Sequence, residues 1–216
     1  MRSKRDPERT REAILGVACK VLAKDGPEGL SVSEVAQLAG VNRGTAYHHF
    51  PTREELLAAT TAWVSERLCR EMFGESGGRD PQAVIANLTS FAMEHPEFGR
   101  VWLYSVLSSN QPANDPFWNL FRSHVEEFSR LELAQPGIDC EVHAAQMLVG
   151  LFLWPIWARV DSLSAAGRRE MAERYSNEVL RSSLFGTMRP DKFPDLAARL
   201  SQALGVGGES QSLPDC

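Results

Sequence analysis

The chain has 216 residues and a mass of 24.0 kDa, 43% of it hydrophobic and 24% charged. That composition describes a globular protein long enough to bury a core without staples, one large domain or two small ones. A net charge of −5 excludes a wholly basic nucleic-acid coat protein but not a local basic patch. Cys19, Cys69, Cys140 and Cys216 form no Cys-x-x-Cys pair, which excludes zinc-ribbon and thioredoxin-type motifs and points to a reduced, cytoplasmic protein.

The first residues, Met1 to Pro7, are basic but lead into no apolar stretch, so no signal peptide is expected. Ile14, Val17, Ala18, Val21 and Leu22 recur at helical spacing and predict a first helix stopped by Gly26-Pro27. Ser31 and Glu34 form a capping-box pattern opening a short helix with Val35, Leu38 and Ala39 inward, closed by Gly40. Asn42 is placed to cap a third helix running to about His49. Pro51 breaks the chain. Thr52 and Glu55 are a second capping box, opening a longer helix with Leu56, Leu57, Thr60, Trp63 and Val64 on one side.

Gly74 to Gly78 reads as a link, and Asp80-Pro81 as the N-cap and first residue of the next helix. Val84, Ile85, Leu88, Phe91 and Ala92 form its stripe. His95-Pro96 starts a helix carrying Phe98, Val101 and Trp102, and after a loop Phe117, Leu120, Phe121, His124, Val125, Phe128 and Leu131 mark another. Residues 139–163 predict a long helix, apolar nearly all round between Met147 and Ala158, which has to be covered on several sides and kinked at Pro155. That run is too short for the roughly 20 residues of a bilayer span. Helices near 165–185 and 193–204 follow, then a glycine- and serine-rich tail read as disordered. The expected fold is all-α, with nine or ten helices.

Charge divides unevenly. Residues 1–53 carry nine basic and six acidic side chains, the remainder fourteen and twenty-two, so one end is suited to meeting an anion. Three short capped helices within residues 10–50 suggest a helix-turn-helix, with glycine at the turn and a small, polar third helix fit to enter a major groove. Here the chain resembles the TetR family of transcriptional regulators. The stretch that carries the resemblance is Val35-Ala36, then Ala39-Gly-Val-Asn-Arg-Gly-Thr-Ala-Tyr-His-His-Phe-Pro-Thr-Arg-Glu-Glu-Leu-Leu57.

The resemblance implies a helix-turn-helix domain over 1–55, a helical effector-binding and dimerisation domain over 56–205, and a tail over 206–216. It implies that Tyr47 and His48 contact phosphates and Thr45 a phosphate or a base. Arg53 stands where the family usually has lysine, at a phosphate-facing position at the start of the fourth helix. Arg43 is the candidate base reader, because Arg pairs with guanine O6 and N7. Gly44 allows close backbone approach, Asn42 and Arg5 are further DNA candidates, and Arg9 is an alternative to Arg5. Ala46 departs from the large apolar residue common in the family: facing DNA it would touch a thymine methyl, facing inward it would loosen the core.

The family further implies a homodimer on a near-palindromic double-stranded operator, with Leu151, Phe152, Met171, Tyr175, Val179 and Leu180 as interface candidates. It implies a cavity for a small, mostly apolar or aromatic effector, with Trp102, Tyr104, Ser105, Phe121, His124, Phe128, Gln146 and Trp154 as lining candidates and Asn119 as a further polar one. Effector binding would shift the population toward a conformer with badly spaced recognition helices, with the fourth helix as the coupling element. No nucleophile elbow, phosphate-cradling glycine loop or His-Glu-x-x-His occurs, so no enzyme, metal, cofactor or membrane association is expected. A member without an effector, or an activator, is the alternative to a ligand-released repressor.

Overall fold

A computed structural model describes residues 7–73 and 81–203. The basic residues Arg2, Lys4 and Arg5, the Gly74–Gly78 link, the Asp80 cap and the 206–216 tail lie outside the described residues. Among those described, ten α-helices and no strand occur.

Helix α1 (Pro7–Asp25) buries Ile14, Leu15, Ala18, Cys19 and Leu22. A 3-10 turn at Pro27–Gly29 leads into α2 (Val32–Leu38), and Gly40, at φ +65°, makes the turn into α3 (Arg43–His49). Glycine enters that left-handed region without the Cβ clash other residues meet. Two local expectations fail in α2. Ser31 occupies the N-cap position without a side-chain hydrogen bond, so no capping box forms there. Leu38 is exposed, because Val32, Val35 and Ala36 define the inward stripe and position 38 falls about 200° round the helix from Ala36.

These three helices and the start of α4 (Arg53–Phe73) enclose a first core of Ile14, Leu15, Ala18, Leu30, Val32, Val35, Ala36, Ala46, Phe50 and Leu56. Leu56, one residue past the expected boundary at 55, is fully buried in it. At the second capping-box pattern, Thr52 does cap the helix: its Oγ1 accepts from the Glu55 amide at 3.1 Å, and its hydroxyl donates to Glu55 Oε1 at 3.3 Å.

The body contains α5 (Pro81–Glu94), α6 (Pro96–Ser108), α7 (Pro116–Ser129), α8 (Cys140–Trp157), α9 (Ala165–Gly186) and α10 (Pro194–Ala203). Its main core gathers Leu68, Met72, Leu88, Trp102, Phe117, Phe121, Leu148 and Phe152, with others, from α4 to α8, and takes Cys19 and Leu22 from α1. Leu57 and Trp63 of α4 pack against both cores, and α1 gives Ile14, Leu15 and Ala18 to the first and Cys19 and Leu22 to the second, so α1 and α4 form their common wall. Helix α8 ends earlier than the pattern suggested. Pro155 sits in its last turn and Arg159 follows in the left-handed conformation at φ 52°. The helix runs past the proline to Trp157 and ends where Arg159 turns left-handed, so no longer helix is there to be kinked.

Candidate nucleic-acid interface and effector site

The third helix is built to be seen. Asn42 caps it, its side-chain oxygen accepting from the Gly44 amide at 2.8 Å. Arg43, Gly44, Thr45, Tyr47 and His48 are exposed, and Asn42 with them. His49 is half-buried beside Phe50, whose ring is 2% exposed and carries the Arg11 guanidinium at 5.5 Å. Arg11, from the basic terminus, thus locks α1 against the end of α3.

Ala46 has no accessible surface. Of the two orientations open to it, the structure takes the inward one, so Ala46 is a core residue and not part of a DNA-facing surface. The small side chain lets α3 lie close to the first core. Arg53 is engaged within the chain. Its guanidinium donates to the Pro27 carbonyl oxygen from Nε at 3.1 Å and from Nη2 at 2.6 Å. It does not project freely toward the surface formed by α3. Arg5 lies outside the described residues.

The expected effector-lining residues do not converge. Trp102 and Phe121 are buried in the main core, Trp102 edge-to-face with Phe117 at a centroid distance of 5.6 Å and Phe121 tilted against it at 6.3 Å, and Trp102 Nε1 donates to Asp115 Oδ1 at 3.0 Å. Tyr104 and Ser105 are half-buried. Phe128 packs on a separate cluster with Leu180 and Leu184, and Trp154 on another with Val160, donating to the Met171 carbonyl at 3.1 Å. His124 and Gln146 are exposed, as is Asn119. The His124 ring stacks on Phe73 at 4.3 Å and its Nδ1 lies 2.8 Å from the Leu120 carbonyl. His124 therefore lies at the edge of the apolar stripe rather than within it. An i, i+3, i+4 pattern fixes a face only to within about 100°, which is why the sequence did not separate rim from core.

Between α5, α7, α8 and α9 lies a cavity of about 20 Å³, lined by Ile85, Leu88, Thr89, Phe121, Met147, Leu151, Tyr175 and Val179. That is room for about one water. Of the expected lining residues only Phe121 borders it. Thr89 and Tyr175 are its polar members, and burial pushes the Tyr175 hydroxyl up to about 12. Both were missed because each reads as one polar residue on an amphipathic helix. The interface candidates Leu151, Phe152 and Leu180 are buried within the single chain, while Met171, Tyr175 and Val179 are half-buried in its clusters.

A glycine-turned helix pair with a capped, outward-facing second helix, set on a larger helical body, is a helix-turn-helix arrangement. Residues 14–60 match the family model described as "Bacterial regulatory proteins, tetR family". It is 41% identical over 59 residues to the HTH-type transcriptional regulator CymR of Pseudomonas putida, covering 27% of this chain and 29% of CymR. It is 29% identical over 134 residues to the repressor AcnR of Corynebacterium efficiens, covering 60% of this chain and 66% of AcnR. The matched regions thus span less than two thirds of either relative. A transcriptional regulator from Saccharomonospora viridis, solved in complex with choline, shares the fold over 84% of this chain and 99% of its own, with a TM-score of 0.59 and 13% identity. Among the described residues no helix is long and apolar enough to cross a membrane.

Proposed function

We propose that this chain is a DNA-binding repressor, acting in the cytoplasm as a homodimer on a near-palindromic operator and released by a small, mostly apolar effector. The observation that carries the reading is the surface of α3: Arg43, Gly44, Thr45, Tyr47 and His48 are exposed around a helix whose remaining contact, Ala46, is buried. Arg43, in the first turn, reads a base edge, and Tyr47 and His48 meet phosphates. Catalysis has no part in this reading. Residues 1–55 supply DNA contact and 56–205 effector binding and dimerisation.

A second face supports the dimer. Val142, Val149, Leu153, Ile156 and Trp157 are exposed along one side of α8, Trp157 at 79%. A helix this apolar needs cover on that side, and a second copy supplies it. Two such modules set their recognition helices about 34–36 Å apart on one face of the duplex.

The test is selection of a duplex from a random-sequence library, followed by titration at stated salt. Arg43→Ala is expected to weaken binding by about 1–3 kcal/mol and to relax one base position. Uniform weakening across all sequences would move Arg43 to the phosphates, and no selected duplex would sink the DNA-binding reading. The space among α5, α7, α8 and α9 holds about one water, whereas clefts of about 280 and 450 Å³ open along α5 and α9, so a regulator without an effector is the second reading only for the interior of the body. A thermal-shift screen of small apolar and aromatic compounds separates the two: a compound that raises the melting temperature and releases the duplex supports the effector.

A further inference from the structure

Arg53 occupies an uncomfortable place for a cation. It opens α4, where the helix dipole disfavours positive charge, and the Thr52 hydroxyl already caps that terminus through the Glu55 amide. Its charge is met from elsewhere in the chain. Nε and Nη2 both reach the Pro27 carbonyl oxygen, Nη2 lies 3.4 Å from Glu28 Oε2, and Nη1 lies 3.8 Å from Glu54 Oε1. Glu28 is 92% exposed, so its ion pair adds little. The specific part is the fork on the carbonyl, a charge-assisted contact from a planar donor pair that lysine cannot reproduce.

The position of this fork gives it consequence. Pro27 stands at the entry to α2, and Arg53 at the exit from α3. Their contact bridges 26 residues and ties the two ends of the helix-turn-helix to each other and to α4. We propose that Arg53 is a positioning residue: it sets the angle of the recognition helix on α4 and does not neutralise a phosphate. This rests on the DNA-binding reading above. With the fork intact, movement of α4 carries α2 and α3 as one body. Without it, the pair rocks on the first core and the spacing between the two recognition helices of a dimer loosens.

Arg53→Gln removes fork and charge, while Arg53→Lys removes the fork and keeps the charge. Both are titrated against a duplex selected on the wild-type protein, over a salt series, at a temperature where helix content equals that of wild type. Each neutralised phosphate contributes about 0.9 to the slope of log affinity against log salt. Both variants are expected to bind about tenfold more weakly or worse, with the wild-type slope and with greater tolerance of one inserted base pair between half-sites. A slope lowered by about 0.9 per subunit in Arg53→Gln and restored in Arg53→Lys would overturn the proposal, as would wild-type affinity and spacing preference in both.

Hydrogen exchange on the free protein gives the answer without DNA. Amides of residues 30–50 are expected to exchange about tenfold faster in both variants, with those of α8 unchanged. Unchanged exchange over 30–50 overturns the clamp. Should the wild type select no duplex, the DNA-binding reading fails and this exchange measurement alone decides the role of Arg53.

Discussion

His143 sits half-buried near the start of α8, and burial lowers its pKa below the usual 6.5. As pH falls through about 6.5, the unfolded chain takes up a proton at this position before the folded one does. Protonation therefore favours unfolding, and the contribution of His143 to stability is lost toward acid. The melting temperature is expected to rise between about pH 5.5 and pH 7.5, and His143→Gln is expected to flatten that rise; an unchanged profile in the variant would remove His143 as a cause. The residues differ in how far their surroundings were readable from sequence. Asn42 announced its capping role, and Cys19 its place in the core, where it is 1% exposed and its thiol is pushed up to about 12. Ala46 admitted two orientations because a methyl group suits either side of a short helix. The contact of Arg53 was not legible because its partner is a backbone carbonyl 26 residues away, and no side-chain pattern marks a carbonyl.

Helices were the most readable elements, since their apolar spacing reports directly on the face they bury. What the spacing does not reveal is how closely two helices approach. Gly99 on α6 faces Phe152 of α8, and a Cβ there would lie 2.7 Å from Phe152 Cδ1 and 3.0 Å from its Cβ. Gly99→Ala therefore has to displace a side chain that is itself 2% exposed. Overpacking of about 1–3 kcal/mol outweighs the helix-propensity gain of about 1 kcal/mol. Urea unfolding is expected to show a net loss, whereas Gly186→Ala, with no atom within 4 Å of the new carbon, serves as the comparison. A gain in stability for Gly99→Ala would mean that α6 and α8 separate readily. The extent of α8 was misread for a related reason: apolar residues continue past Trp157, but the backbone reverses at Arg159.

For the whole molecule, the exposed row on α8 carries the strongest expectation. Leu153 is 49% exposed at the middle of it, with Gln146 on the same side. Leu153→Glu is expected to convert a dimer into a monomer in light scattering without changing helix content, since the side chain makes little of the single-chain core. An unchanged mass would place the dimer elsewhere. The sequence showed that α8 was apolar on nearly every side, but not which side a second chain would cover. The sequence pointed to the fourth helix as the element coupling two parts, but not to the side chains that face both. Leu56 completes the first core, and Leu57 and Trp63 face both. The N-terminal part is thus no detachable reading head. A chimera that grafts a foreign helix-turn-helix onto this body inherits half of a two-sided wall, and the join has to carry the α4 side chains through Trp63 with whichever half they were shaped to fit.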